Sequence, residues 1–177
     1  MIRFINLLTA TRILLAPFIL LFLIYGEYLV CTLLFFLAGI SDYFDGYLAR
    51  KYNAESQLGE ILDPIADKIL VVFILIGLSV NLHSYLMAVM SSLIVSREIG
   101  VTALRDYAAR NNMSHKTKVT FLAKSKTALQ LSTIMMYLIA LSLNLNLLII
   151  ISDVSLIATA LITLYTGYEY AKNIFTK

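Results

Sequence analysis

Charge is scarce in this sequence. Only 14% of its 177 residues are charged, 60% are hydrophobic and the mean hydropathy is +0.84, a balance that excludes a soluble globular chain. Cysteine occurs once, as Cys31 inside an apolar run. That excludes a disulfide framework and a thiolate metal site, and leaves a small core or lipid-facing residue. Of the two histidines, His83 falls in a turn remote from the acidic residues and His115 in a basic, solvated loop. No Ser-His or Cys-His pairing stands near the acidic residues, so neither of these nucleophile–base pairs is available there. Internal repeats, heptad arrays and low-complexity tracts are absent. The stretch from Met1 to Tyr25 has Arg3 followed by apolar residues, but Arg12 interrupts it and no small-x-small site follows, so an uncleaved first span is expected.

What is present is length enough for one domain, residues 1–177, of six spans of roughly 20 residues each. The hydropathy pattern predicts spans near Leu7–Tyr25, from Tyr28 into the acidic stretch, Leu58–Val80, Tyr85–Tyr107 and Val119–Leu143, with a sixth ending near Tyr170 and starting between Leu147 and Asp153. Pro17 predicts a kink in the first. The turns near Gly26, Asn81 and Asn144 carry no Lys or Arg, and all 14 basic residues belong to the opposite side. The positive-inside rule then predicts that both termini and the acidic stretch face the cytosol. Net charge +3 reads as this asymmetry, with attraction to anionic lipid, and not as nucleic-acid binding. The fold class expected is all-α and integral to the membrane, with a polar active-site cavity at the cytosolic boundary.

The chain is organised around Asp42 to Asp67, which reads D-Y-F-D-G-Y-L-A-R, K-Y-N-A-E-S-Q-L, G-E-I-L-D-P-I-A-D. At about 100° per residue, Asp42, Asp45, Gly46, Ala49 and Arg50 fall within roughly 140° of one helix face, and Gly59, Asp63 and Asp67 within roughly 80° of another. Two helices can therefore aim four carboxylates at one point. An aspartate within a membrane helix costs about 2.5 to 3.5 kcal/mol, so four without cations would cost roughly 10 kcal/mol plus their mutual repulsion. Two divalent ions would cancel that charge, and an oxygen-only ligand set favours Mg²⁺ or Mn²⁺ over Zn²⁺. Gly46 and Gly59 let a bulky ligand approach each backbone. Pro64, between Asp63 and Asp67, is expected in the first turns of its helix, where a missing N–H is tolerated.

A second cluster lies in S-R-E-I-G-V-T-A-L-R-D-Y and A-K-S-K-T-A-L-Q. Arg97 and Arg105 share a face, as do Lys126, Thr127 and Gln130, while Lys124 points away from the latter. Intramembrane cations call for anionic partners. Arg97, Arg105 and Lys126 either bind substrate phosphate or pair with Glu98 and other acids, and Lys116, Lys118 and Lys124 can reach out to lipid head groups. Asp153 is expected to cap a helix start or to be hydrogen-bonded in the interior.

The spacing D-x2-D-G-x2-A-R-x8-G-x3-D-x3-D, eight fixed residues over 26 positions, resembles the signature of the CDP-alcohol phosphatidyltransferase family, with every fixed position matched. S-R-E-I-x-V-T-A-L-R followed by K-x-K-T-x-x-Q resembles the branch whose acceptor is glycerol 3-phosphate, and T-A-T-R at Thr9–Arg12 resembles the T-x-x-R that opens these enzymes. In two places the pattern is departed from: Ile5-Asn6 is followed by Leu7 where proline is common, and Ala123 stands where glycine usually precedes K-x-K-T. The resemblance implies that Asp42, Asp45, Asp63 and Asp67 hold two divalent cations, that Asp67 also serves as base, and that Gly46, Ala49, Arg50 and Gly59 meet the nucleotide. It implies CDP-diacylglycerol and glycerol 3-phosphate as substrates, with Arg97, Arg105, Lys124 and Lys126 toward the acceptor phosphate, in a homodimer in the bacterial cytoplasmic membrane or an organellar inner membrane. The alternatives are a different acceptor (inositol phosphate, serine or phosphatidylglycerol), a small cation transporter, or a lipid-binding structural protein.

Overall fold

Long apolar stretches broken by short polar turns fold as six helices: α1 (Ile2–Ile24), α2 (Tyr28–Lys51), α3 (Gln57–Asn81), α4 (Tyr85–Arg110), α5 (Phe121–Ser142) and α6 (Asn146–Phe175). The computed structural model describes residues 2–51, 57–113 and 121–176, excluding the side chains of 2–8, 43, 45, 46, 48–50, 57, 58, 60 and 121–124. No strand occurs among the described residues.

The α1–α2, α3–α4 and α5–α6 turns each contain a residue of positive φ: Gly26 at 79°, His83 at 47° and Asn144 at 54°. Glycine reaches this left-handed region without steric cost, and asparagine and histidine enter it more often than most residues, which is why turns this short use them. Ser84 then caps α4, its hydroxyl accepting from the Met87 backbone N–H at 3.2 Å.

Several helices outrun the hydropathy that predicts them. Helix α1 begins at Ile2 instead of Leu7, α4 reaches Arg110 instead of Tyr107, and α6 runs from Asn146 to Phe175. The apolar window marks only the greasy part of a helix, whereas Arg110 and Lys172 in the last turns favour the negative end of the helix dipole and prolong the backbone ladder. Asp153 does not cap α6. It lies two turns inside and accepts the Tyr137 hydroxyl at 2.5 Å. The predicted start of the fifth span, Val119, and His115, Lys116 and Lys118 lie outside the described residues.

The helices close a circuit: α1 packs on α2 and α3, α3 on α4, α4 on α6, α6 on α5, and α5 on α2, with α3 also touching α5. One core runs through all six, from Ile19 and Leu23 of α1 through Phe35, Ile74, Met87 and Leu138 to Leu156. Cys31 is buried in it, beside the Ile19 carbonyl. Gly77 brings α3 close to α1, since a Cβ there would stand 2.7 Å from Leu23 Cδ1 and 3.0 Å from Leu20 Cδ1. On α6 the buried stripe is Ser152, Thr159, Thr163 and Thr166. Small side chains of this kind let membrane helices approach closely and hydrogen-bond across the seam, and Thr133 of α5 bonds Ser155 at 2.6 Å.

Large apolar residues also cover the outside, among them Leu14, Phe18, Leu33, Phe36, Ile76 and Leu161. In water such a surface invites aggregation, and in hydrocarbon it is matched to its solvent. Helices α4 and α6 are long and apolar enough to cross a membrane, while Thr9–Ile24 and Tyr28–Asp42 are shorter apolar stretches. The apolar run of α2 stops at Asp42, where the acidic residues begin.

Candidate active site

The buried face of α1 repeats at i, i+3 and i+4 through Thr9, Arg12, Ala16, Ile19 and Leu23, all at 1% exposure or less. Its last three members are hydrocarbon, and its first two meet the acids. Arg12 Nη1 donates to Asp42 Oδ1 of α2 and, at 2.7 Å, to Asp67 Oδ1 of α3. Arg12 Nη2 lies 3.5 Å from Asp63 Oδ1, which also accepts the Thr9 hydroxyl at 2.7 Å. Three helices thus bring three carboxylates and one guanidinium together. Asp42 and Asp67 remain half-exposed and Asp63 43% exposed, whereas Arg12 is 1% exposed. The acids keep a face toward the outside of the cluster.

Asp45, Gly46, Ala49 and Arg50 belong to the same helix as Asp42, and their side chains lie outside those described. Gly59 is buried in the first turn of α3. Pro64 is not in the first turns as expected: it stands inside α3, seven residues after Gln57. Lacking an N–H, it removes the ladder bond to the carbonyl of residue 60, one turn earlier.

Do these residues fit a divalent cation? Among the described residues no group of three carboxylates is close enough to hold a metal ion, the described trio being disposed around the guanidinium. The chemistry of the donors does fit: they are carboxylate oxygens only, three of them face one monovalent cation, and Asp42 and Asp67 reach the same nitrogen atom. An oxygen-only, negatively charged set suits a hard ion such as Mg²⁺.

Beside the acids lies a cavity of about 740 Å³. Arg12, Asp42, Asp67 and Lys68 line one part of it, and Glu98, Lys126, Thr127 and Gln130 another. The rest of its wall is apolar, with Phe35, Phe36, Leu70, Val71, Ile94 and Met135 among the residues. The expectation of a polar cavity is therefore corrected. Helices α2 and α3 are polar at one end only, so a space between them joins a charged mouth to a hydrocarbon interior, the form that an amphiphile fits.

The second cluster is more tightly tied. Lys126 Nζ donates to Glu98 Oε1, and Arg97 Nη1 reaches the same oxygen at 3.3 Å. Arg97 Nη2 also donates to the Thr166 hydroxyl of α6 at 2.7 Å. Its stem lies against Gly167, where a Cβ would come within 2.9 Å of Arg97 Cγ. Arg105 donates to the Tyr170 hydroxyl at 2.9 Å, with its guanidinium 5.0 Å from that ring's centroid. As the periodicity predicts, Arg97 and Arg105 turn the same way, toward α6, and Lys126, Thr127 and Gln130 share the cavity wall. Arg97 and Arg105 do not line that wall, and the side chain of Lys124 lies outside those described. Lys68 donates to Thr102 at 2.6 Å, tying α3 to α4.

The sequence marks Thr9 and Arg12 only through the T-x-x-R resemblance, without their partners, and passes over Gly167. Arg12 and Thr9 stand one turn apart in an apolar helix, and a buried arginine in such a helix is itself the signal that acids must face it. Gly167 sits in a run of hydroxyl and aromatic residues, and nothing in the sequence announces that an arginine from α4 needs its missing side chain.

Residues 4–165 match the sequence profile of CDP-alcohol phosphatidyltransferases. A protein named CDP-diacylglycerol–glycerol-3-phosphate 3-phosphatidyltransferase from Blochmanniella floridana is 40% identical over 171 residues, covering 94% of this chain and 88% of its own. Proteins of the same name from Rickettsia bellii and Haemophilus influenzae are 38% identical over 171 residues (94% and 92% of the two chains) and 36% identical over 127 residues (70% and 69%).

Proposed function

The chain belongs to the CDP-alcohol phosphatidyltransferase family, and from that premise we propose that it is a phosphatidylglycerophosphate synthase, which transfers the phosphatidyl group of CDP-diacylglycerol to sn-glycerol 3-phosphate and releases CMP. The observation that carries this reading is the meeting of Asp42, Asp63 and Asp67 on Arg12 beside a largely apolar cavity whose wall Asp42 and Asp67 share. A lipid diphosphate needs both environments, charge for its head and hydrocarbon for its tails. The protein works within a membrane as a single domain, with its acidic cluster on the cytosolic side, in the bacterial cytoplasmic membrane and as a homodimer.

Asp42, Asp45, Asp63 and Asp67 would hold two divalent cations. When bound, these ions polarise the diphosphate and neutralise the charge that develops on the departing CMP. Gly46, Ala49, Arg50 and Gly59 approach the nucleotide. Asp67, half-exposed at the cavity wall, takes the proton of the acceptor's primary hydroxyl. That oxygen then bonds to the lipid-bearing phosphorus as the bond from phosphorus to the CMP oxygen breaks. Because a carboxylate is a weak base in water, Asp67 depends on being held beside the hydroxyl. The apolar wall excludes water, the competing nucleophile. Lys126, with Arg97 and Arg105 behind it and Lys124 near it in sequence, attracts the acceptor's phosphate.

The test supplies purified protein with CDP-diacylglycerol and, separately, glycerol 3-phosphate, serine, inositol phosphate or phosphatidylglycerol. Mg²⁺-dependent CMP release with glycerol 3-phosphate alone is expected. Release with another acceptor in preference would reassign the substrate, and no release with any would remove the enzymatic reading in favour of a transporter or lipid-binding protein.

A further inference from the structure

We propose that Glu98 is an internal occupant of the acceptor's phosphate site, and that it makes the site select for dianionic phosphate esters. The proposal rests on the reading that Lys126 and Arg97 serve the acceptor phosphate. Glu98 Oε1 is the single atom on which both cations converge, Lys126 from α5 and Arg97 from α4. The cations are nearly closed off, with side-chain exposures of 6% and 7%, while Glu98 is 20% exposed and shares the cavity wall with Lys126 and Asp67. One oxygen held by two cations is the arrangement that a phosphate oxygen accepts.

The carboxylate under-fills the place it holds. One negative charge faces two positive ones, and Arg97 Nε is buried with no hydrogen-bond partner among the described residues. A phosphate monoester brings nearly two negative charges and three acceptor oxygens at neutral pH. It can displace Glu98 from Lys126 and Arg97 and leave the cluster better neutralised than before. A neutral alcohol brings no anionic group to the two cations, and serine brings a single carboxylate that offers them no more charge than Glu98 already does. Displacing Glu98 costs every acceptor that needs the two cations the same free energy, and a dianion is the acceptor whose gain exceeds that cost by most, which is discrimination by an opposing element inside the protein.

The experiment measures steady-state kinetics of wild type, Glu98→Gln and Glu98→Asp with CDP-diacylglycerol and glycerol 3-phosphate, using inorganic phosphate as a competitor of the acceptor. If Glu98 occupies the site about nine-tenths of the time, its removal lowers the KM for glycerol 3-phosphate about tenfold. Inorganic phosphate then inhibits at correspondingly lower concentration. Glu98→Asp, which keeps the charge and shortens its reach, moves both values the same way by less, and it decides the question if Glu98→Gln does not fold. A KM for glycerol 3-phosphate that rises or stays unmoved overturns the proposal, since a carboxylate that only positions the two cations would weaken acceptor binding when removed. Lys126→Met separates this failure from failure of the underlying reading. A KM for glycerol 3-phosphate unchanged in Lys126→Met removes the phosphate site itself, whereas a raised KM there with no gain in Glu98→Gln overturns only the role of Glu98.

Discussion

In the half of the bundle built from α1, α2 and α3, three aspartates meet one arginine, and it is the arginine that is buried while the acids stay near half-exposed. In the half built from α4, α5 and α6, two cations meet one glutamate, and Arg97 and Lys126 are both buried. Each half places one residue of the minority sign at its centre. The difference lies in what each leaves accessible: Asp42 and Asp67 line the cavity, whereas Arg97 and Arg105 are turned toward α6 and, of the described cations in this cluster, Lys126 alone reaches the wall. On the proposed function the acidic half offers its exposed carboxylates to a ligand, whereas the basic half must first release Glu98 from Lys126 and Arg97, and the bond from Arg97 to Thr166 of α6 ties that partnered state to the bundle.

The comparison breaks first at Asp67. Asp67→Asn should reduce turnover by about 10²- to 10⁴-fold, the range for loss of a positioned general base, while binding of CDP-diacylglycerol is retained. Unaltered kinetics would mean that the acidic half is a scaffold like the other. Next is Arg12. Arg12→Met strands three carboxylates beside hydrocarbon and should destabilise the protein by about 3 kcal/mol, toward the low end for buried pairs because the acids are partly exposed. Thermal unfolding in detergent reads this, and Mg²⁺ should narrow the gap to wild type; an unchanged midpoint would show that Arg12 is not the hub of that half.

Smaller effects sharpen the basic side. Gly167→Ala places a methyl group 2.9 Å from Arg97 Cγ and 3.2 Å from its Nε, so Arg97 must move. The KM for glycerol 3-phosphate should change by up to about tenfold, with that for CDP-diacylglycerol steady; equal changes in both would indicate a general packing defect. Arg105→Met loses the Tyr170 contact and should raise the KM for glycerol 3-phosphate about two- to fivefold, in line with a partly exposed cation–π pair. An equal effect on both substrates would argue against an acceptor role.

Much of the acidic half was legible beforehand because its information is local. Asp63 and Asp67 are four residues apart on one helix, and that period alone places them on one face. After Ile40 the span changes from apolar to acidic at Asp42 while keeping helical spacing, so the end of α2 could be read as polar on one side. The basic half was less legible. Arg97 and Arg105 could be placed on a common face, but whether that face met the cavity or α6 depended on helix rotation, and the outcome was α6. The largely apolar cavity went unseen for the same reason: Phe35 of α2, Val71 of α3, Ile94 of α4 and Met135 of α5 come from four helices, and no single periodicity announces a space between them.

By itself the sequence determined six helices, a chain too apolar for water, the faces on which charged residues lie, and the family to which the acidic spacing is similar. Each of these follows from composition or from the 3.6-residue period, which act within one helix. Tertiary structure alone decided which charges pair: Arg12 with acids 30 to 55 positions away, Lys126 with Glu98, Arg97 with Thr166. Pairing across helices depends on their mutual rotation and approach. Those are fixed by close packing at places such as Gly77 against Leu23 and Gly167 against Arg97, where the absence of a side chain matters only because of what another helix puts there.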